Sequence, residues 1–169
     1  ILDDQWNGEK TQLAAKNVLL NIKSINQTNK RIVIDQLIVN KPFINLHSYE
    51  GKNTTVQKDT NQRNFKPAKL NPSDLNIVAN EIQVINGKFL IEYGFEKPVP
   101  YFDGAHIRMH ELNAQIYNAT LSKDTITAKV NLSVKERSGI EIKKLNTQFK
   151  LTPQTMEFAK LSLKTNNSV

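Results

Sequence analysis

The chain has 169 residues, 38% of them apolar and 23% charged, with a formal net charge of +7 and no cysteine. That is one domain's worth of sequence, in which disulfides contribute nothing and the redox compartment stays open. No apolar run approaches the roughly 20 residues of a membrane-spanning helix and there is no leader pattern, so a chain starting at Ile1 without an initiator Met is expected to be a fragment of a larger protein.

In chain order, the first signal is the alternation Val18, Leu20, Ile22, which reads as a strand. Next comes an eight-residue pattern with apolar residues at positions 1, 3, 6 and 8: Ile32, Ile34, Leu37, Val39. Ile44 and Leu46 alternate after Pro42, which marks a strand start. Residues 49–72 are rich in Asn, Lys, Gln and Thr and read as a polar loop or insertion. It separates N-terminal strands (1–48) from C-terminal strands (73–169) of the same sheet. The pattern returns at Ile77, Ala79, Ile82, Val84. Asn86-Gly87 then suits a tight hairpin turn before the alternating run Phe89, Ile91, Tyr93. Asp103-Gly104 is a similar turn signal ahead of the third copy, Ile107, Met109, Leu112, Ala114. From Thr125 to Lys135 alternation is strict, with Ile126, Ala128, Val130, Leu132 and Val134 on one face. Ser138-Gly139 turns the chain into the fourth copy, Ile140, Ile142, Leu145, Thr147. Pro153 and then Leu161 and Leu163 complete the set.

Only Thr147 among the pattern's apolar positions is polar, and none carries a charge. The two adjacent polar positions inside each copy break strict alternation. A one-residue bulge restores the face, and adds twist and bend. A register change that sends the second half of each copy to the other face is the alternative. No 3.6-residue stripe is sustained, including over Lys10 to Ile22 and after Pro72. A one-faced sheet without covering helices has three solutions: closure into a barrel, packing on a second sheet, or an open groove filled by a ligand.

The positive charge is mostly Lys, nineteen against four Arg, spread along the chain. Arg63-Asn64-Phe65-Lys66 is the nearest approach to a nucleic-acid motif and sits in the polar stretch, so a solvated basic surface is expected and no nucleic acid. Attraction to anionic lipid head groups is an unspecific further option. His106 and His110 lie on the polar face of their strand, about 13 Å apart, too far for one metal ion. No phosphate loop, zinc-protease helix or nucleophile elbow is present, so neither enzyme nor cofactor is expected.

The segment Arg31 to Leu46, followed by Tyr49-Glu50-Gly51, resembles the repeat of AsmA-like envelope proteins. With Phe102 to Ile107, Lys135 to Gly139 and Leu161 to Ser168, it is similar to the N-terminal region of TamB homologues of the Bacteroidetes group. The resemblance implies a periplasmic protein anchored in the inner membrane, with a β-groove reaching towards the outer membrane. It further implies phospholipid transport, or outer-membrane protein assembly with an Omp85-type barrel bound through other parts of the parent. The expected fold is all-β: a curved, mostly antiparallel sheet forming an open hydrophobic groove, with a sandwich or closed barrel as alternative. The expected acyl-chain lining is Ile32, Ile34, Leu37, Val39, Ile82, Val84, Phe89, Ile91, Ile107, Met109, Leu112, Val130, Leu132, Ile140 and Ile142.

Overall fold

Period-2 alternation bounded by turn residues produces strands, and among the described residues strands are the only regular elements that form. The computed structural model describes residues 1–53 and 69–167. The stretch Arg63 to Lys66 and the centre of the polar segment lie outside these residues. Ten strands form one sheet: β1 (Leu2–Asp4), β2 (Glu9–Ala14), β3 (Asn17–Asn26), β4 (Arg31–Asn40), β5 (Phe43–Ser48), β6 (Asn76–Tyr93), β7 (His106–Ser122), β8 (Thr125–Glu136), β9 (Glu141–Leu151) and β10 (Met156–Thr165).

The order across the sheet follows the chain from β6 to β10. β3 pairs with β4 and β2 with β5; β4 and β5 lie end to end along β6; β7 to β10 follow as an antiparallel meander. The pairing of β6 with β4 and β5 is parallel and keeps one register throughout, from Arg31↔Asn76 to Ser48↔Tyr93. The polar segment is therefore the crossover that a parallel pair requires. Strands on both sides of it share one sheet. β10 does not pair back to β1 or β3, so the sheet is open and curved, neither a barrel nor a sandwich.

In the copies on β4, β7 and β9 the extra residue is a bulge. In β4, Ile34 faces Ile22 and Gln36 faces Asn21, which leaves Asp35 unpaired. β6 follows β4 in constant register. In β7, His110 faces Lys135 and Asn113 faces Ser133, with Glu111 left-handed at φ 53°. In β9, Leu145 faces Leu132 and Ile142 faces Val134, leaving an extra residue at Lys143-Lys144.

One turn expectation fails. Asn86-Gly87 is not a hairpin; β6 runs straight through it. Asn86 is left-handed (φ 53°), as is its register partner Lys41 (φ 50°). These two, with Glu111, form a bulge seam that bends neighbouring strands together instead of reversing one of them. Gly87 is buried here, and a Cβ would sit 3.0 Å from the Pro42 ring and 3.3 Å from Val84. The chain reverses later, over residues 94–105.

Almost nothing is buried in the usual sense. Among the described residues, Ala79 and Val134 are the buried apolar side chains, and every other apolar side chain keeps contact with solvent. The accessible surface is 12161 Å², whereas a compact monomer of 19.2 kDa exposes about 8,400 Å². A single layer has no second layer to dry its apolar side.

Candidate functional site: one uncovered apolar face

Residues directly opposite on paired strands share a face, so register decides which side chains form one surface. β8 alternates without interruption and serves as the ruler. From Val130 the row runs through Ile116, Ile82 and Leu37 to Leu20, and on the other side to Thr147. From Leu132 it runs through Ala114, Val84 and Val39 to Val18, and through Leu145 to Leu163. Towards one end, Ile126 continues through Leu121, Ile77 and Ile32 to Ile25, and through Leu151 to Met156. Towards the other, Met109, Phe89, Ile44 and Leu13 form a row, and Ile107, Ile91 and Leu46 form the next. Leu112 faces Gly87, and Val134 faces Ile142. Ile34 lies between Ile22 and Ala79. Ile140, just before β9, continues the alternation of Ile142 and is exposed. The expected lining residues thus lie on one face, and all four copies of the pattern contribute to it.

Neighbours that the pattern missed complete the surface: Leu20, Ile22 and Ile25 on β3, Ile116 and Leu121 on β7, and Phe158, Leu161 and Leu163 on β10. Alternation marks most of them. The Phe149–Phe158 ring contact at 5.4 Å could not be read from it. Thr147, the one polar pattern position, is buried and donates its hydroxyl to the Ala159 carbonyl at 3.0 Å, beside the bulge at Lys160. The polar atom is therefore spent on the backbone. Glu136 ends the apolar row of β8 and is also buried. Its carboxylate accepts the backbone N–H groups of Ser138 (2.6 Å) and Arg108 (3.3 Å). Burial pushes its pKa up, but the Ser138 hydroxyl, these two amides and the Arg137 charge together outweigh burial and hold it below the ordinary carboxylate value.

The opposite face is polar. An amide row Gln83, Gln115, Asn131, Asn146 crosses it. With Lys143 and Lys144 it lines an indentation of about 500 Å³. This hollow belongs to the wet side, and its amides and ammonium groups suit water. Asn80 and Gln36 tie β6 and β4 through Asp35 and Glu81 at 3.0 Å each, and the Lys135–Glu111 pair spans 2.7 Å.

His106 departs from expectation. It lies on the polar face by parity, yet is only 4% exposed, because the 94–105 loop folds over it. Its Nδ1 donates to Asp103 at 2.9 Å, while Arg137 donates to the carbonyls of Val99 (2.7 Å) and Tyr101 (3.2 Å). The bond from His106, joined by the Ala105 and Val99 amides, holds the Asp103 carboxyl below its ordinary 3.8. A lowered folded pKa stabilises fully above 3.8 and is lost as pH falls through the lower, folded value. The loop is therefore expected to stay latched at pH 4 and to loosen only in stronger acid. In His106→Ala the Asp103 carboxyl is expected to titrate nearer its ordinary value. Carboxyl-detected NMR checks both, and an unchanged Asp103 titration in the variant would refute the latch.

The chain matches no protein-family model, no curated protein and no solved structure.

Proposed function

We propose that the apolar face holds lipid acyl chains and lets them slide along it, as one segment of a periplasmic, TamB-like bridge between inner and outer membranes. The observation that carries this reading is the continuous apolar face, at whose end the charged Glu136 is buried, and over which no second layer lies among the described residues. Soluble monomers rarely expose contiguous apolar patches beyond about 600 Å². On β6 the strip runs from Ile77 to Ile91, about 45 Å at roughly 3.3 Å per residue. Half of a bilayer's ~30 Å hydrocarbon core is shorter than that, so a tail can lie fully on the strip. Each buried CH₂ gains about 0.8 kcal/mol, so a sixteen-carbon chain gains on the order of 10 kcal/mol before the costs of binding. The headgroup stays in solvent, and no catalytic step is needed.

The test is a photoreactive side chain at Val130 or Ile107, with Lys129 as the opposite-face control. Lipid is expected to be captured from 130 and 107 and not from 129. Equal capture at all three, or none beside a working positive control, would overturn the reading. A second reading, a scaffold for β-strands of outer-membrane proteins, draws on the edges: β3 is exposed along its length and pairs on one side only. Protein captured from β3 or β10 without lipid at Val130 would favour it.

A further inference from the structure

The two ends of the sheet differ in chemistry. At one end gather the β1–β2 turn, the segment after β5, the 94–105 loop and the β8–β9 turn. Backbone bonds hold them together: Tyr49 N–H to the Gly8 carbonyl (2.7 Å), Asn53 N–H to that of Trp6 (3.0 Å), and Gly94 N–H to that of Ser48 (2.8 Å). Arg137 joins the 94–105 loop to the β8–β9 turn through Val99 and Tyr101.

Five aromatic rings stand out of this end: Trp6 (59% exposed), Tyr93 (55%), Phe95 (78%), Tyr101 (71%) and Phe102 (52%). The opposite end is formed by the turns at 27–30, 71–74, 123–124 and 152–155, and these contain no aromatic residue. Tyr93 continues the alternation of Phe89 and Ile91, so the apolar face runs directly into the aromatic end. Rings with an apolar body and a polar tip settle at the headgroup level of a bilayer. The charge here is not that of an anionic-lipid binder. Asp3, Asp4, Glu9, Glu50, Glu96 and Asp103 outnumber Lys10, Lys52, Lys97 and Arg137.

We infer that this end inserts its rings shallowly into the zwitterionic interface of a lipid bilayer, bringing the mouth of the apolar face against hydrocarbon. The inference rests on the acyl-chain reading for its purpose, while its test does not depend on that reading. Attachment comes from ring burial, so it is insensitive to salt and gains nothing from anionic lipid.

Trp6 is the single tryptophan and sits in the patch, so it reports directly. With phosphatidylcholine vesicles, its emission is expected to shift to the blue and to be quenched best by labels near the headgroup. Each ring removed from a partly buried position is expected to lower partitioning by about fivefold to tenfold. Tyr101→Ser/Phe102→Ser therefore weakens it by about 30-fold or more, with strand content unchanged by circular dichroism. These two are chosen because Phe95 also contacts the His47 and Tyr49 rings at 5.2 and 5.3 Å, and its loss can disturb the end itself. Lack of any Trp6 shift, binding only to anionic vesicles with loss in salt, or a double variant that partitions like the parent would each overturn the inference. So would capture of a protein from Tyr101 in place of vesicle binding. If Val130 fails to capture lipid while Trp6 still enters vesicles, the acyl-chain reading falls and the docking stands.

Discussion

Ile82→Asp combined with Val130→Lys is expected to reduce acyl-chain binding by at least about 100-fold while the sheet stays folded. Both positions lie in the central row of the apolar face, on either side of Ile116. A charge there must be stripped of water for a hydrocarbon tail to lie over it, which costs several kcal/mol against about 0.8 kcal/mol gained per methylene. Without a tail, water reaches the uncovered face and the charge costs the fold little. A compact protein would behave in the opposite way and unfold. Displacement of a fluorescent fatty acid measures the binding, and circular dichroism measures the fold. If the double variant unfolds, the face is covered by protein after all. If it binds as the parent does, the tail lies elsewhere.

The second large effect is expected at Gly8→Ala. Gly8 is left-handed at φ 73°, and a Cβ there would run into the backbone carbonyl of Tyr49. The amide of Gly51 would lie only 2.6 Å away. The left-handed conformation alone costs Ala about 1–2 kcal/mol. Because backbone cannot move aside as a side chain can, the total is expected at about 3 kcal/mol or more, in the range of severe single substitutions. The loss is local: β1, β2 and the segment after β5 should lose amide protection while β7 to β9 keep theirs. Hydrogen exchange read by mass spectrometry resolves this. Unchanged protection of the Tyr49 amide would refute the close approach. Gly87→Val is the comparison, since its Cβ meets side chains instead of backbone and a smaller cost of about 1–3 kcal/mol is expected.

Two bulge seams explain how one face survives interruption. One passes through Asp35 and Asn118, the other through Lys41, Asn86, Glu111 and the Lys143-Lys144 pair. Each inserts a residue, and each insertion is answered in neighbouring strands. Val39, Val84, Ala114 and Leu132 consequently stay aligned on the side of Leu37, Ile82, Ile116 and Val130. A seam repaired in one strand alone would turn that strand's remaining side chains to the wrong face. Left-handed residues at Lys41 and Asn86, without glycine, show that neighbouring strands enforce the kink.

Much of this was legible from the residues. Alternation and the missing 3.6-residue stripe dictate strands and exclude helices, because side-chain periodicity is a local property of the backbone. The paired polar positions within each copy announced the bulges. The charge-free apolar positions announced one dry face. Asn86-Gly87 misled because left-handed φ serves both a hairpin and a bulge, and only pairing with the β4–β5 junction at Lys41 on one side and the Leu112-Asn113 stretch of β7 on the other selects between them. His106 misled because parity places a side chain on a face but says nothing of a loop that later folds over it.

What needed tertiary structure was everything that joins distant residues. The parallel register of 31–48 with 76–93 brings two copies of the pattern side by side across the polar crossover, and no local signal specifies it. The sheet's failure to close, which leaves the apolar face open, depends on where β10 ends relative to β1 and β3. The gathering of Trp6, Phe95 and Tyr101 at one end comes from loops far apart in the chain. Sequence by itself determined which side of each strand is apolar. The fold decided that those sides form one surface and that nothing in the described chain covers it, because pairing partners and closure are set by long-range contacts, not by neighbours along the backbone.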